Sequence, residues 1–464
     1  MSTKLAEHRG PNWIALAPWP LIILIGTVFF YTGHDVFRSR YILERGVEMF
    51  NPTDEEAEEI LEQFQRGSLG KAVAYVILGV FGALVLGVRT MQRRFHVNGL
   101  LGGVSLLFAL WSFMSIIWAD DRLITFNKIA VLAMVCLGAL GAAQLFREED
   151  LMLLAVTCTG VYLAVGVASE VALGAFQPWV AGYRFSGTIH PNGQGLNCAM
   201  LFLGALGMRR ADEEHKKWWT LLMLAALVFL VLTRSRTPIG LVMFSLLFFW
   251  AWRLPLPGKV FLAALTGLVL CTLLILGDTM FPALREALRF GRTDILETGG
   301  STTLQGRLDL WAACWPYITD KPLLGHGYNS FWTVSNTFHL AASAGWIAGS
   351  AHSIYVDVLL GLGFVGLAGF VIMLLLAIRR LLEMYAQENR PAHVFLICFF
   401  LFALAHGVLE STFIFPGLHS FLLIVATAYL GFRVPEENQP VAVALAPRGA
   451  RKMSAGPVAS GTGA

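Results

Sequence analysis

The chain has 464 residues, 56% of them hydrophobic and only 14% charged, with a mean hydropathy of +0.64 and a formal net charge of +3. A water-soluble fold of this length needs far more polar surface, so a soluble enzyme is excluded. The net charge makes no case for a nucleic-acid partner, and none is expected; the information lies in where the charges fall.

Taken in chain order, apolar runs long enough to cross a bilayer as helices recur about 12 times. They fall at 12–31, 71–88, 97–118, 124–146, 151–174, 191–208, 218–233, 237–252, 259–277, 354–378, 393–412 and 416–432. No small-residue cleavage site follows the first run, which therefore reads as a retained helix. Residues 32–70 form an outer loop holding an acidic amphipathic segment, Asp54–Phe64, with Asn51-Pro52-Thr53-Asp54 as its helix start. Basic residues collect on alternate loops: Arg89, Arg93 and Arg94; Arg147; Arg209, Arg210, Lys216 and Lys217; Arg253 and Lys259; Arg379, Arg380 and Arg390. The positive-inside bias puts these loops and both termini in the cytoplasm.

The largest outer segment is 278–353. It predicts a helix from Leu304 to Ile318 with Leu308, Trp311, Ala312 and Trp315 on one face, Trp311 and Trp315 serving as aromatic anchors on the membrane. Lys321-Pro322 ends that helix, and Gly325-His326-Gly327 is a turn. The expected organisation is helices with one outer loop over 1–277, the large outer loop over 278–353, helices again over 354–432, and an Ala/Gly/Pro/Ser tail over 433–464 expected to be disordered. The fold class is thus an all-α polytopic membrane protein. The six cysteines, Cys136, Cys158, Cys198, Cys271, Cys314 and Cys398, form no CxxC pair, so neither a disulfide framework nor a zinc site is expected. No other metal site is expected either: the adjacent pair Asp120-Asp121 reads as a solvated turn.

Arginine is costly near a membrane core, so its outward-facing exceptions are informative. Arg184, Arg234, Arg236 and Arg307 run against the positive-inside bias, and guanidinium groups match phosphate oxygens. Four clusters stand out. The first runs from Arg184 through His190, Pro191, Asn192 and Gln194; Pro191 suits the first turn of a helix, whose open N–H groups bind anions or hydroxyls. The second is Thr233-Arg234-Ser235-Arg236-Thr237-Pro238. Its two arginines, i and i+2, point different ways, and Arg236 is the expected phosphate contact. The third is Gly306-Arg307 with Asp309 and Trp311, followed by Pro322 to Trp332. The fourth is Ala351-His352-Ser353-Ile354-Tyr355-Val356-Asp357, where an imidazole is suited to removing a proton from a hydroxyl and Asp357 to orienting or balancing the site. Each cluster also has a structural reading: a helix cap with an anchoring arginine, snorkelling to head groups, an amphipathic surface helix, or a packed histidine. Glu170, His406 and Glu410 are further ionisable residues at membrane depth or near helix ends, candidates for buried pairs without an assigned role.

Together the clusters resemble the O-antigen ligase and polymerase superfamily of bacterial inner-membrane proteins. The elements that carry the resemblance lie in the family's order over 180–375: Arg-Phe-Ser-Gly…His-Pro-Asn at 184–192, Ser235-Arg236-Thr237, Gly306-Arg307 with Trp311, Pro322…Gly325-His-Gly327, and Ala351-His352. The resemblance implies a GT-C type fold, an undecaprenyl-diphosphate-linked glycan as donor, and inverting transfer at the periplasmic face without metal or cofactor. It implies that Arg236 and Arg307 hold the diphosphate and that His352 is general base or orients the acceptor hydroxyl. Arg184, His190, Asn192, Arg234 and Tyr355 are the candidate substrate contacts. One departure is that Ser353 follows the histidine where the family usually has Asn.

The run from Thr303 to His352 is most similar to exopolysaccharide polymerases of the succinoglycan type. This favours a polymerase, whose acceptor is another lipid-linked repeat unit, over a ligase, whose acceptor is lipid A–core. A transporter or flippase is the reading from another class. Against it, no internal repeat is visible and the arginines sit at the outer boundary rather than the midplane.

Overall fold

The computed structural model describes residues 18–33, 69–91, 96–180, 182–259, 304–344 and 348–433. The acidic segment Asp54–Phe64, all but the first residue of the span expected at 259–277, the loop 278–303 and the tail after Arg433 lie outside the described residues. The regular elements described are helices: α1 (Trp19–Gly33), α2 (Leu69–Met91), α3 (Gly99–Met114, extended by the 3-10 turn Ser115–Ile117), α4 (Arg122–Leu145), α5 (Glu148–Ala172), α6 (Pro191–Ala211), α7 (Lys216–Leu232), α8 (Arg236–Trp252), α9 (Leu304–Asp320), α10 (Val334–Ala344), α11 (Ile354–Gln387), α12 (Pro391–Leu409) and α13 (Leu418–Phe432). Apart from the one at 259–277, each expected span falls on one of α1–α8 or α11–α13. Of these, α2, α3 with its 3-10 turn, α4, α5, α11 and α12 are long and apolar enough to cross a membrane, while α1, α8 and α13 are shorter apolar helices.

Helix α12 occupies the middle. Its sequence is apolar all round, which suits a helix with no water-facing side. Here α5, α6, α8 and α11 pack around it, and Ala392 to Ala403 are buried throughout. The outer helices keep one apolar face uncovered. On α2, Val76, Ile77, Val80 and Leu84 are exposed, the surface that a helix in contact with lipid acyl chains presents. The other face of α2 meets α4 through small residues: a Cβ on Gly82 would lie 2.0 Å from the Leu137 carbonyl oxygen. Such small-residue seams give membrane helices their close backbone packing.

The helix ends sort into two groups. At one end, Asn98 N–H donates to Gly431 O (2.7 Å), the Gln144 side chain to Phe432 O (3.0 Å), and Arg433 to Phe146 O (2.7 Å), while His393 Nε2 lies 2.8 Å from a Glu148 oxygen. At the other, Asp120 N–H donates to His326 O (3.2 Å) and Phe185 N–H to Leu232 O (2.9 Å). These groupings match the alternation of basic and non-basic loops in the sequence.

The outer segment is built onto α11. Helix α9 turns Leu310, Cys314 and Ile318 inward, where they are almost fully buried with Phe331, Leu340, Ala351 and Leu360. The face expected to be apolar is therefore not the one that packs. Leu308 and Trp315 are exposed. Trp311 instead points inward and donates from its indole to Ala351 O at 2.7 Å. Helix α10 was not anticipated from the sequence. The Asp120-Asp121 pair is more than a solvated turn. Asp121 caps α4, accepting from Ile124 N–H at 2.9 Å, and Asp120 is paired with Lys321 and with His326 Nδ1 at 2.6 Å.

Helix α11 is broken at Gly363, which has φ 65° and ψ −169° inside an otherwise helical run. A break frees backbone groups that must find partners when buried, and the Pro322–Gly327 segment supplies them. Phe364 N–H donates to Pro322 O (2.7 Å), Leu360 O accepts from His326 N–H (2.8 Å), and Gly361 O accepts from Gly327 N–H (2.9 Å). Leu362 O accepts from the Trp111 indole (3.0 Å). The approach is so close that a Cβ on Gly325 would sit 2.5 Å from the Gly361 carbonyl carbon, and Gly325 itself has φ 68°. The sequence signature around Gly325 is thus a backbone clasp on a kinked helix.

Candidate active site

The residues singled out in the sequence converge on one that had been given no role. Glu410 is the first residue after α12, whose span ends at Leu409. One carboxylate oxygen accepts from Arg307 Nη2 at 2.9 Å and from Asn192 Nδ2 at 3.3 Å. The other lies 3.5 Å from His352 Nδ1, an ion-pair distance longer than a good hydrogen bond. Arg307 also donates through Nη1 to Leu409 O. This satisfies a carbonyl left open at the C-terminus of α12, where a cation is favoured by the helix dipole. Both partners are enclosed: the Arg307 side chain is 12% exposed and that of Glu410 14%. Burial works against ionisation of Glu410, but His352, Arg307 and His406 outweigh it and hold the carboxyl down at about 2.

Behind Asn192 stands the second layer. Arg184 donates through Nη2 to Asn192 Oδ1 (3.0 Å) and through Nε to Thr233 O (3.1 Å). Ser235 Oγ donates to the same Asn192 oxygen (3.2 Å). The amide thus presents its oxygen to a guanidinium and its N–H to a carboxylate, the orientation those partners require. The loop carrying Arg184 is folded around Glu170, whose carboxylate accepts from Ser186 N–H (2.9 Å), Gly187 N–H (2.7 Å) and the Tyr183 hydroxyl. Pro191 opens α6, and His190 caps it by accepting from Asn192 N–H through Nδ1 (3.2 Å).

Arg234 and Arg236 occupy the corner between α7 and α8. Arg234 has φ 50° and is half-buried, whereas Arg236 is exposed at the first position of α8. The two arginines differ in exposure because the chain turns at Arg234, before the helix begins. His352 also has positive φ, 48°. Tyr355 directs its hydroxyl to Leu404 O on α12, away from the carboxylate cluster. Structurally, then, Arg307, His352, Asn192 and Arg184 are brought together through Glu410 and Asn192, with Arg234 and Arg236 flanking Ser235. His190 serves as a cap at the rim, and Tyr355 ties α11 to α12. Among the described residues, no three or more His, Cys, Asp or Glu side chains are grouped as a metal ion would need.

Glu410 and Glu170 were visible in the sequence as ionisable residues near the ends of apolar spans, which is itself a functional flag. Neither lies near its partners in sequence. Only the fold shows that Glu410 joins clusters from α6, α9 and the start of α11.

A bundle of apolar helices with arginines, a carboxylate and an imidazole gathered at one end is that of an integral membrane protein. Residues 221–371 match the family model described as O-antigen ligase, which supports the resemblance to the O-antigen ligase/polymerase superfamily. The matched stretch contains Arg234, Arg236, Arg307, His352 and Tyr355. Arg184, Asn192 and Glu410 lie outside it and are joined to it by the contacts above. No curated protein matches the chain.

Proposed function

We propose that this site transfers a glycan from undecaprenyl diphosphate to a sugar hydroxyl at the periplasmic face of a bacterial inner membrane. The observation that carries the reading is the Glu410 cluster, in which a guanidinium and an imidazole from separate elements meet one ionised carboxylate beside the Arg184–Asn192 pair. The acceptor oxygen forms a bond to the anomeric carbon as the bond from that carbon to the phosphate oxygen breaks. The electron pair leaves with the diphosphate, and the hydroxyl proton passes to His352.

Each residue has a part. Arg307 uses two contacts on Leu409 O and Glu410, and a guanidinium has further N–H donors to offer phosphate oxygens. Arg236 and Arg234, at the α7–α8 corner, and Arg184 add positive charge where the leaving group develops negative charge. His352 faces Glu410 through Nδ1, so Nε2 is the nitrogen that receives the proton. Glu410 then stabilises the imidazolium and keeps the ring oriented. His190 and Asn192 line the approach, and inversion follows from in-line displacement on a single face. Charge is supplied by fixed guanidinium groups, so the scheme invokes no metal or cofactor.

Between the two acceptors we favour a lipid-linked repeat unit, and hence a polymerase, because the run from Thr303 to His352 resembles that of exopolysaccharide polymerases. Expression in a host deleted for its own polymerase and ligase tests the choice. A ladder of lipid-linked products longer than one repeat supports the polymerase. Single-step attachment of preformed glycan to lipid A–core supports the ligase instead.

A further inference from the structure

We propose that Asp357 is the positioning residue that sets His352 against Glu410, a role that rests on the transfer reaction proposed above. Asp357 lies in the first turn of α11 and is 6% exposed. One carboxylate oxygen accepts from Ala351 N–H at 3.1 Å and from the Trp332 indole at 2.7 Å; the other accepts from the Ser411 hydroxyl. Ala351 immediately precedes His352, and Ser411 immediately follows Glu410. A single buried carboxylate therefore holds the neighbours of both members of the pair.

The backbone at His352 explains why a tether is needed. A φ of 48° is unfavourable for a residue with a side chain and persists where its surroundings over-determine it. Here Ala351 N–H is held by Asp357, Ala351 O by the Trp311 indole, and Ser353 Oγ donates to Gly407 O at 3.3 Å. The three donors to Asp357 are a backbone amide, an indole and a hydroxyl, none of them cationic. The role read from these contacts is hydrogen-bond geometry. Asparagine can preserve it: its oxygen accepts from Ala351 and Trp332, and the Ser411 hydroxyl can rotate to accept from the amide. Alanine removes the acceptor that Asp357 gives to the buried Ala351 N–H, the Trp332 indole and the Ser411 hydroxyl.

The test uses the full chain in detergent or nanodiscs, with undecaprenyl diphosphate as binding probe and lipid-linked glycan transfer as the rate, at equal amounts of folded protein. For Asp357→Ala, binding is expected within about twofold of wild type and transfer down about 100-fold, the scale of a small misplacement at a reacting centre. Asp357→Asn should recover transfer to within about tenfold of wild type. The proposal is overturned if Asp357→Ala transfers at the wild-type rate, if binding and transfer fall together, or if Asp357→Asn is as slow as Asp357→Ala. Should Asp357→Ala fail to fold, Ser411→Ala decides: slower transfer with retained binding supports the tether, and wild-type transfer overturns it. Arg307→Ala and His352→Ala run alongside. If both transfer like wild type, the reaction itself is misassigned and the positioning role falls with it; if both fail while the Asp357 and Ser411 variants do not, the positioning role alone is wrong.

Discussion

Glu410→Gln keeps the shape of the residue on which Arg307, Asn192 and His352 converge and removes its charge. The carboxyl sits at about 2, against an ordinary value of 4.5, because the cost of burial is outweighed by its contact with His352 and by the Arg307 guanidinium. A carboxyl depressed in the folded state contributes stability that is fully present above its unfolded pKa. That stability is lost as pH falls through the folded value. For Glu410 the loss spans pH 4.5 down to about 2. At about 1.4 kcal/mol per pKa unit the ceiling is roughly 3 kcal/mol, and coupling among the neighbours leaves a working range of about 1–3 kcal/mol. Thermal unfolding of wild type and Glu410→Gln, side by side from pH 7 to pH 3, reads this directly. The variant should be less stable at pH 7 by a few degrees, and the gap should narrow as pH falls below 4.5. A gap that stays constant over that range, or no gap at pH 7, refutes the electrostatic account of Glu410.

Arg307→Lys retains charge but cannot serve Leu409 O and Glu410 with one planar fork; glycan transfer should fall about 100-fold, with the protein still folded by circular dichroism. Gly363→Ala puts a Cβ 2.3 Å from the Leu323 carbonyl at a φ of 65°; it should cost at least about 1–3 kcal/mol, seen as a lowered melting temperature. The Asp357 and Ser411 variants separate rate from binding as set out above.

The helices were legible in the sequence because run length alone marks an apolar span, and α1–α8 and α11–α13 fall where those runs predict. The break in α11 was not, because Gly363 lies in an unbroken apolar run and its positive φ is imposed by the Pro322–Gly327 segment docking against it. The same segment was legible as a turn, but its partner was not, being a stretch of backbone without a side-chain signature. Trp311 shows the limit of helical periodicity. It shares a sequence stripe with Trp315, yet its indole turns to Ala351 O because the polar handle of tryptophan seeks an acceptor when enclosed. Arg184, Arg307 and His352 stood out by residue type at predicted span ends. Glu410, the partner of Arg307 and His352, was visible as an ionisable residue but had no role, since a lone carboxylate near a helix end names no partner. Asp120 was under-read for the same reason: Lys321 and His326 lie far along the chain.

The central claim is that the arginines and the imidazole gathered at the Glu410 end of the bundle perform glycan transfer. Its most direct test is transfer in a host lacking its own O-antigen polymerase and ligase, comparing wild type with His352→Ala, Arg236→Ala and Arg307→Ala at matched expression. Wild type should restore glycan, and none of the three variants should. Variants that restore it as well as wild type would contradict the account.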